Sequence, residues 1–536
     1  MKKVTNTAGN EVLVCKTAQG RISGMRWDEH TLAWLGVPYA RPPVGELRWK
    51  APRDPEPWDG VRDASSFSPA CMQYGGLLLT LDPEKFGQPC GSEDCLYLNV
   101  WRPDSAKAGL PVFFYLHGGL NAAGEGATSL YHGANLARQA KAVVVTINHR
   151  LGIFGWFAHP ALATGDPLDD SGNYGILDII KALSWVRDNI VSFGGDPKNV
   201  TACGESAGSF NVLSLVISPL ARGLFHRALC LSPLTPLFGA KMKNVNRLAK
   251  KQAARMAVAD GLAQNPEDAR KALAAWEPAR VKDFLYAKDA KAVLAGTRPL
   301  SSLGLNELGI TLDVLSGSRF LDGTVIPKDM KQRLLRGDYN KVPYMVGNTQ
   351  DEIRIFLLSF GIFSKPDTRE VARLIREFDP QGPAPNLARI VPRRFRELYK
   401  LAGTGLGKLA FEKNAVGTTA KTLSRHQDVY VFRFAWDEQP KPFDFLVGSS
   451  HMTGLPFVFG NFQTDDQSIF RFSWSNANRT GTRKLHEDTV SYLASFFQTG
   501  NPNTGKRPDL PEWTPWTLEK GRKRRMVLDT ETRMSR

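Results

Sequence analysis

No stretch of the 536-residue sequence is apolar for long enough to cross a bilayer. The first residues, Met1-Lys2-Lys3-Val4-Thr5-Asn6, carry positive charge but no apolar segment behind it, so no signal peptide is read there. Cysteine is scarce, at six, and no Cys/His spacing suits zinc, which leaves a metal site and a cofactor without a motif. Asp166, Asp169 and Asp170 are the one local carboxylate cluster, and they read as a solvated loop. No internal repeat appears, and no linker separates two domains. Acidic residues are also in deficit. Against 69 Lys+Arg stand 53 Asp+Glu, for a formal charge of +16. The basic residues are dispersed, so they read as a solvated surface with no nucleic-acid partner. Only Arg522-Lys523-Arg524-Arg525 is a tight cluster, read as a solvated C-terminal tail.

What is present is a large apolar share, 42%, enough for a substantial core. Pro111–Leu116 and Ala142–Asn148 are continuous apolar runs of the kind that parallel sheets bury on both faces. Further strand-like runs lie at Val200–Cys203, Arg227–Leu231, Pro343–Gly347 and Val429–Phe434. Gly175–Ile190 reads as a helix, because Ile176, Ile179, Ile180, Leu183, Val186 and Ile190 share one face. Leu35–Gly45 is rich in glycine and proline and reads as a turn-rich entry segment. Strands alternating with helices indicate an α/β doubly wound sheet. Basic helical insertions interrupt it near 245–295 and 368–414, and the whole of 1–536 reads as a single domain.

The chemistry centres on Gly204-Glu205-Ser206-Ala207-Gly208. A serine hydroxyl is a weak nucleophile until it is held where a base can reach it. A sharp turn from a strand into a helix does this, and flanking glycines let the backbones pass closely. The apolar run before it and the Ala207–Val216 stretch behind it supply that strand and that helix.

Several other segments make the chain resemble the type-B carboxylesterases of the α/β-hydrolase fold, closest in pattern to bacterial para-nitrobenzyl-esterase-like members. They are Gly36-Val37-Pro38-Tyr39-Ala40, Glu93-Asp94-Cys95-Leu96-Tyr97-Leu98-Asn99, Asn148-His149-Arg150-Leu151-Gly152, Phe193-Gly194-Gly195-Asp196-Pro197, Pro456-Phe457-Val458-Phe459-Gly460 and Thr499-Gly500-Asn501-Pro502. The resemblance covers nearly the whole chain. It implies a serine esterase with Ser206 as nucleophile, Glu352 of Asp351-Glu352 as acid, His451 as base and Glu205 as a supporting residue. It places the oxyanion-hole donors at the backbone N–H groups of Gly119, Leu120 and Ala207. Leu120 departs from the glycine or alanine usual there. Leu231-Ser232-Pro233 departs from Q-S-G, and Gly454 stands where many relatives carry glutamate.

The resemblance also implies a disulfide between Cys71 and Cys95 around a surface loop, and the structural ion pairs Arg48–Glu93 and Arg150–Asp178. The disulfide argues for an oxidising compartment, hence an exported protein whose signal peptide is not in this sequence, with a cytoplasmic one as the alternative. Cys203 and Cys230 read as buried free thiols, and Cys15 or Cys90 as competitors for a partner. The loop between Cys71 and Cys95 has Tyr74 and Phe86 but lacks the tryptophan that cages choline in cholinesterases, which points away from cationic esters. The expected substrate is therefore a neutral or anionic soluble ester, polycarboxylate esters included. A lipase-like activity on longer acyl chains is the runner-up, set back because no strongly amphipathic lid is apparent. A non-catalytic binding protein of the same fold is disfavoured by the presence of all three triad residues. The sequence assigns no oligomeric state.

Overall fold

A computed structural model describes residues 2–5, 11–105, 107–233, 238–297, 319–359, 361–380, 382–464, 468–518 and 524–535. Nine strands position the site: β1 (Thr31–Pro38), β2 (Tyr97–Pro103), β3 (Leu110–Leu116), β4 (Val143–Ile147), β5 (Gly195–Glu205), β6 (Arg227–Leu231), β7 (Tyr344–Thr349), β8 (Val429–Phe434) and β9 (Met526–Leu528). They lie side by side in the order β1-β2-β4-β3-β5-β6-β7-β8-β9 within a 14-stranded sheet.

From β4 to β9 every neighbouring pair is parallel. The apolar runs fall here, where both faces are covered. The flank is different. Lys2–Thr5, Glu11–Lys16, Arg21–Asp28, β1 and β2 form an antiparallel series that joins β4. The sheet is thus mixed, with a parallel centre and an antiparallel N-terminal edge. Part of the segment read as a turn-rich entry is strand, since Leu35–Pro38 completes β1. The glycine there forms a kink: Gly36 has φ 62°, and the β1–β2 register shifts between Trp34 and Val37.

Side chains alternate across the central strands as a pleated sheet requires. Val112, Phe114 and Leu116 of β3 enter one apolar layer, with α1 (Tyr174–Asn189), α2 (Ala207–Ile217) and α3 (Met242–Ala259). Phe113 and Tyr115 enter the other, where α4 (Arg479–Thr499) contributes Leu485, Val490, Leu493, Phe496 and Phe497. The two insertions are helical: Met242–Ala259, Pro266–Ala274, Pro278–Tyr286 and Ala290–Ala295 in the first, Thr368–Glu377 and Arg396–Leu401 among those of the second.

The two ion pairs form as the resemblance implies. Arg48 reaches Glu93 at 2.6 and 2.5 Å, and Arg150 reaches Asp178 at 2.8 and 2.7 Å. The second pair is sealed, at 2% and 0% side-chain exposure, and its carboxylate also accepts the Arg150 backbone N–H. Removing one partner of such a pair strands the other charge and costs about 3–5 kcal/mol. Asp166, Asp169 and Asp170 are occupied by their own loop: Asp166 accepts the N–H groups of Leu168 and Asp169, Asp169 pairs with Arg53, and Asp170 caps Thr164 and Gly165.

The C-terminal reading needs correction. Arg522 and Lys523 lie outside the described residues, but Arg525 is half-buried against Glu412 at 2.7 Å, and the next three residues are β9. This end of the chain is tied into the sheet.

The disulfide is also overturned, for Cys71 and Cys95 are free buried thiols. They lie against each other without joining. Cys71 Sγ accepts the N–H of Leu151 at 3.2 Å, and the hydrogen bond with Cys71, then burial, holds the Cys95 thiol well above its ordinary pKa. That disfavours the thiolate needed for oxidation. The argument for export that rested on this bond falls with it. Cys203 and Cys230 are buried thiols as expected, and Cys15 and Cys90 are free as well. No helix among the described residues is long and apolar enough to cross a membrane.

Candidate active site

Ser206 sits at the junction of β5 and α2 with φ 55° and ψ −117°, a conformation that costs an L-residue about 1–3 kcal/mol. The surroundings hold it there. The Ser206 N–H donates to Leu231 O at 2.9 Å, and Ser209 Oγ lies 2.6 Å from both Gly204 O and Leu231 O. The motif's glycines are steric necessities: a Cβ on Gly204 would fall 2.2 Å from Gly208 C, and one on Gly208 would fall 2.1 Å from Leu116 O. The turn therefore sets the serine at the C-terminal edge of the parallel strands, where such sheets place their sites.

The turn after β3 lies beside it. A Cβ on Gly118 would meet Glu205 Oε2 at 2.5 Å and Ser206 Cβ at 3.2 Å, so this backbone passes close by the serine. Gly119, Leu120 and Asn121 then have φ of 100°, 55° and 58°. Asn121 is pinned by paired amide hydrogen bonds with Asn211 on α2, at 3.1 and 2.7 Å. Among the described residues, the N–H groups of Gly119, Leu120 and Ala207 donate to no protein acceptor. His117 and His149 stack beneath the turn at 4.9 Å, and burial lowers both, His117 to about 4. They are neutral packing groups at ordinary pH.

Glu352 and His451 are joined. His451 Nδ1 lies 2.5 Å from Glu352 Oε2, while Glu352 Oε1 accepts Ser232 Oγ–H at 2.6 Å and the Thr349 N–H at 2.7 Å. Ser232 belongs to the segment that departs from Q-S-G, yet its hydroxyl holds the carboxylate facing the ring. The Gly454 departure opens space instead. A Cβ there would meet the Phe434 ring at 3.5 Å, and the residue lines a cavity of about 30 Å³ behind Glu205, Ser232 and Asn348.

The other ring nitrogen faces an acid. His451 Nε2 lies 3.0 Å from Glu205 Oε1, and no hydrogen bond joins it to Ser206 Oγ among the described residues. The imidazole is thus clasped between two buried carboxylates. Burial alone favours the neutral ring, yet Glu205 and then Glu352 outweigh it and push His451 up to about 10. Burial in turn raises Glu205, with the His451 charge opposing. The rings of Phe356 and Phe411 pack on the imidazole at 5.1 and 5.5 Å.

Phe411 was not read from the sequence as a site residue, because it lay in a basic insertion with no motif. The loop from Cys71 to Cys95 reaches the site through Leu78, whose Cδ1 would stand 3.5 Å from a Cβ on Gly119; Phe86 is core and Tyr74 half-buried. Among the described residues, no group of three or more His, Cys, Asp or Glu side chains is arranged to hold a metal.

Comparison with known proteins places this arrangement. The profile described as the carboxylesterase family matches residues 11–536. Para-nitrobenzyl esterase of Bacillus subtilis (strain 168) is 30% identical over 97% of this chain and 95% of its own length. A fumonisin B1 esterase of Sphingopyxis macrogoltabida is 31% identical over 94% of this chain and 84% of its own. Among solved structures, a PNB esterase superposes with a TM-score of 0.72 at 28% identity, covering 97% of this chain and 96% of that one. The Geobacillus stearothermophilus carboxylesterase EST55 at pH 6.2 gives 0.71 at 29%, covering 97% of each.

Proposed function

The chain belongs to the carboxylesterase family, an α/β-hydrolase fold of carboxylic ester hydrolases, and from that premise we propose that it cleaves esters through an acyl-serine intermediate on Ser206. The observation that carries the reading is the His451–Glu352 contact of 2.5 Å beside a serine held at φ 55°. Ser206 Oγ attacks the ester carbonyl carbon as its proton passes to His451 Nε2, which exchanges its Glu205 contact for the serine. The carbonyl oxygen, now negative, is met by the N–H groups of Gly119, Leu120 and Ala207. The C–O bond to the alcohol breaks, and His451 returns the proton to that alcohol. Water then repeats the sequence on the acyl-serine, releasing the acid. Glu352 keeps the imidazole in one tautomer and stabilises its charged form.

The intermediate is directly testable. Mixing the enzyme with an activated aryl ester and quenching in acid should leave the acyl mass on the peptide that carries Ser206. Acyl mass on another residue, or none under conditions of visible burst kinetics, would overturn the assignment.

Within that chemistry, neutral and anionic esters are the proposed substrates. The loop that would carry a cation-binding tryptophan presents Leu78 to the oxyanion turn, and the charge of +16 steers anions. In a panel of esters matched in acyl size, kcat/KM for the anionic member should rise relative to the neutral one as salt is lowered, because screening at ~8 Å mutes distant charge. A choline ester that outperforms both would defeat this preference.

A further inference from the structure

The helix that closes over the acid and base of the site has an unusual outer face. Arg396–Leu401 runs on into π-helical turns at Ala402–Leu406 and Lys408–Gly417. A buried stripe recurs every fourth residue, at Tyr399, Gly403, Gly407, Phe411 and Ala415, with Val416 buried beside its last position. That inner stripe lies on the site. Phe411 packs on the His451 ring, a Cβ on Gly407 would stand 3.4 Å from Glu352 Cβ, and Thr404 Oγ1 donates to Asp351 Oδ1 at 2.7 Å. Glycine at 403 is required for this approach, since a Cβ there would fall 2.4 Å from the Arg354 side chain.

With four residues to the turn, Leu401 and Leu409 stand half a turn from the buried stripe. Leu398 and Leu406 stand a quarter-turn to one side of it, and Lys400 and Lys408 a quarter-turn to the other. The four leucines are 47, 70, 54 and 53% exposed in the order 398, 401, 406, 409, a cost in hydration that nothing among the described residues repays. The rim is cationic. Lys400, Lys408 and Lys413 are exposed and have no carboxylate partner among the described residues, as do Arg393 and Arg394 in the turn before the helix. Glu412 is drawn off by Arg525, which leaves Glu397 as the free acid on this element. Leucine on the outside with lysine along one flank is the pattern of a helix that lies in the headgroup region of a bilayer.

We propose that the outer face of the 396–417 helix docks on the surface of an anionic phospholipid bilayer, setting the active site against the layer from which an apolar ester is drawn. The charge decides the occupant. A second copy of this chain would bring the same lysines and arginines to the same contact, whereas an anionic headgroup layer neutralises them while the leucines enter it. The proposal rests on the ester-hydrolase reading for its purpose and on the leucine–lysine face for its contact, and the two can fail separately.

The test uses the full chain with phosphatidylglycerol vesicles and, in parallel, phosphatidylcholine vesicles, assayed by co-sedimentation at low salt. The wild type should bind the former and not the latter. Leu401→Ser with Leu409→Ser should weaken binding about tenfold or more, and Lys400→Glu with Lys408→Glu should do likewise. None of these side chains touches the site, so hydrolysis of a short, water-soluble aryl ester should stay within about twofold in each variant. Wild-type protein that ignores phosphatidylglycerol vesicles overturns the proposal, as does a leucine variant that binds them as well as wild type. Leucine-dependent self-association without vesicle binding would assign the face to a second copy instead. Loss of soluble-ester hydrolysis in every form, with vesicle binding intact, would refute the ester chemistry and leave the docking surface standing.

Discussion

Replacing Ser206 by alanine is expected to lower kcat on a soluble aryl ester by about five to six orders of magnitude, with the fold unchanged. The substitution removes the one atom that attacks and leaves the N–H donors of the oxyanion turn in place, so a small residual rate over water should survive. Folding should be spared because the elbow is held by groups other than the Ser206 side chain. The Ser206 N–H to Leu231 O bond, the Ser209 hydroxyl and the close passage of Gly204 and Gly208 all remain. Alanine meets the same φ of 55° that serine does, so the strain is carried over rather than added. Thermal unfolding of the purified variant should therefore match wild type within a few degrees. A variant that keeps more than about a thousandth of the wild-type rate, with the same unfolding midpoint, would put the nucleophile elsewhere.

How much of this was readable in the sequence follows from how many constraints each residue carries. The elbow was legible because Gly204 and Gly208 have no alternative: any Cβ collides with backbone, so the motif survives as a pattern of residue types. The parallel strands were legible because burial on both faces demands continuous apolar runs, and Arg227–Leu231 and Val429–Phe434 match to the residue. The edge was not. The N-terminal strands pair antiparallel at one rim, outside the continuous apolar runs, and at the other rim β9 is three residues long behind a basic cluster. Glu352 and His451 carried no local signal and came only from resemblance; what links them is a contact between residues 99 apart. The 368–414 insertion was legible as helical, but the faces of its 396–417 helix were not, because its buried stripe recurs every fourth position, with glycine at two of them, and a search for a 3.6-residue amphipathic period passes over it. The disulfide shows the opposite failure. Resemblance supplied a bond where this chain keeps two free, buried thiols.

Glu205→Gln is expected to move the pH dependence of the enzyme more than any other single change near the base. His451 must be neutral to take the Ser206 proton, and its pKa stands at about 10 because Glu205 and Glu352 outweigh the burial that would otherwise lower it. In the wild type, kcat/KM should therefore climb with pH from neutrality to about 10, roughly tenfold per unit on the acid side of the limb. The limb belongs to the clasped cluster as a whole, since Glu205 is itself raised by burial and the His451 charge opposes that rise. Glutamine keeps the size of Glu205 and its contact at Nε2 but removes the first of the two charges that favour imidazolium. The limb should then shift toward acid by about one to two units, raising the relative rate at neutral pH. Stability should respond in the same sense. A histidine whose folded pKa exceeds its unfolded value of ~6.5 stabilises the fold below that value and loses the contribution as pH rises through about 10. Wild-type protein should thus lose stability between those limits, and Glu205→Gln should lose less over a narrower window. Paired pH–rate profiles on a neutral ester, with unfolding midpoints at each pH, measure both effects. Superimposable limbs would show that the Glu205 charge does not act on the base, and that the contact at Nε2 gives way before the reaction begins.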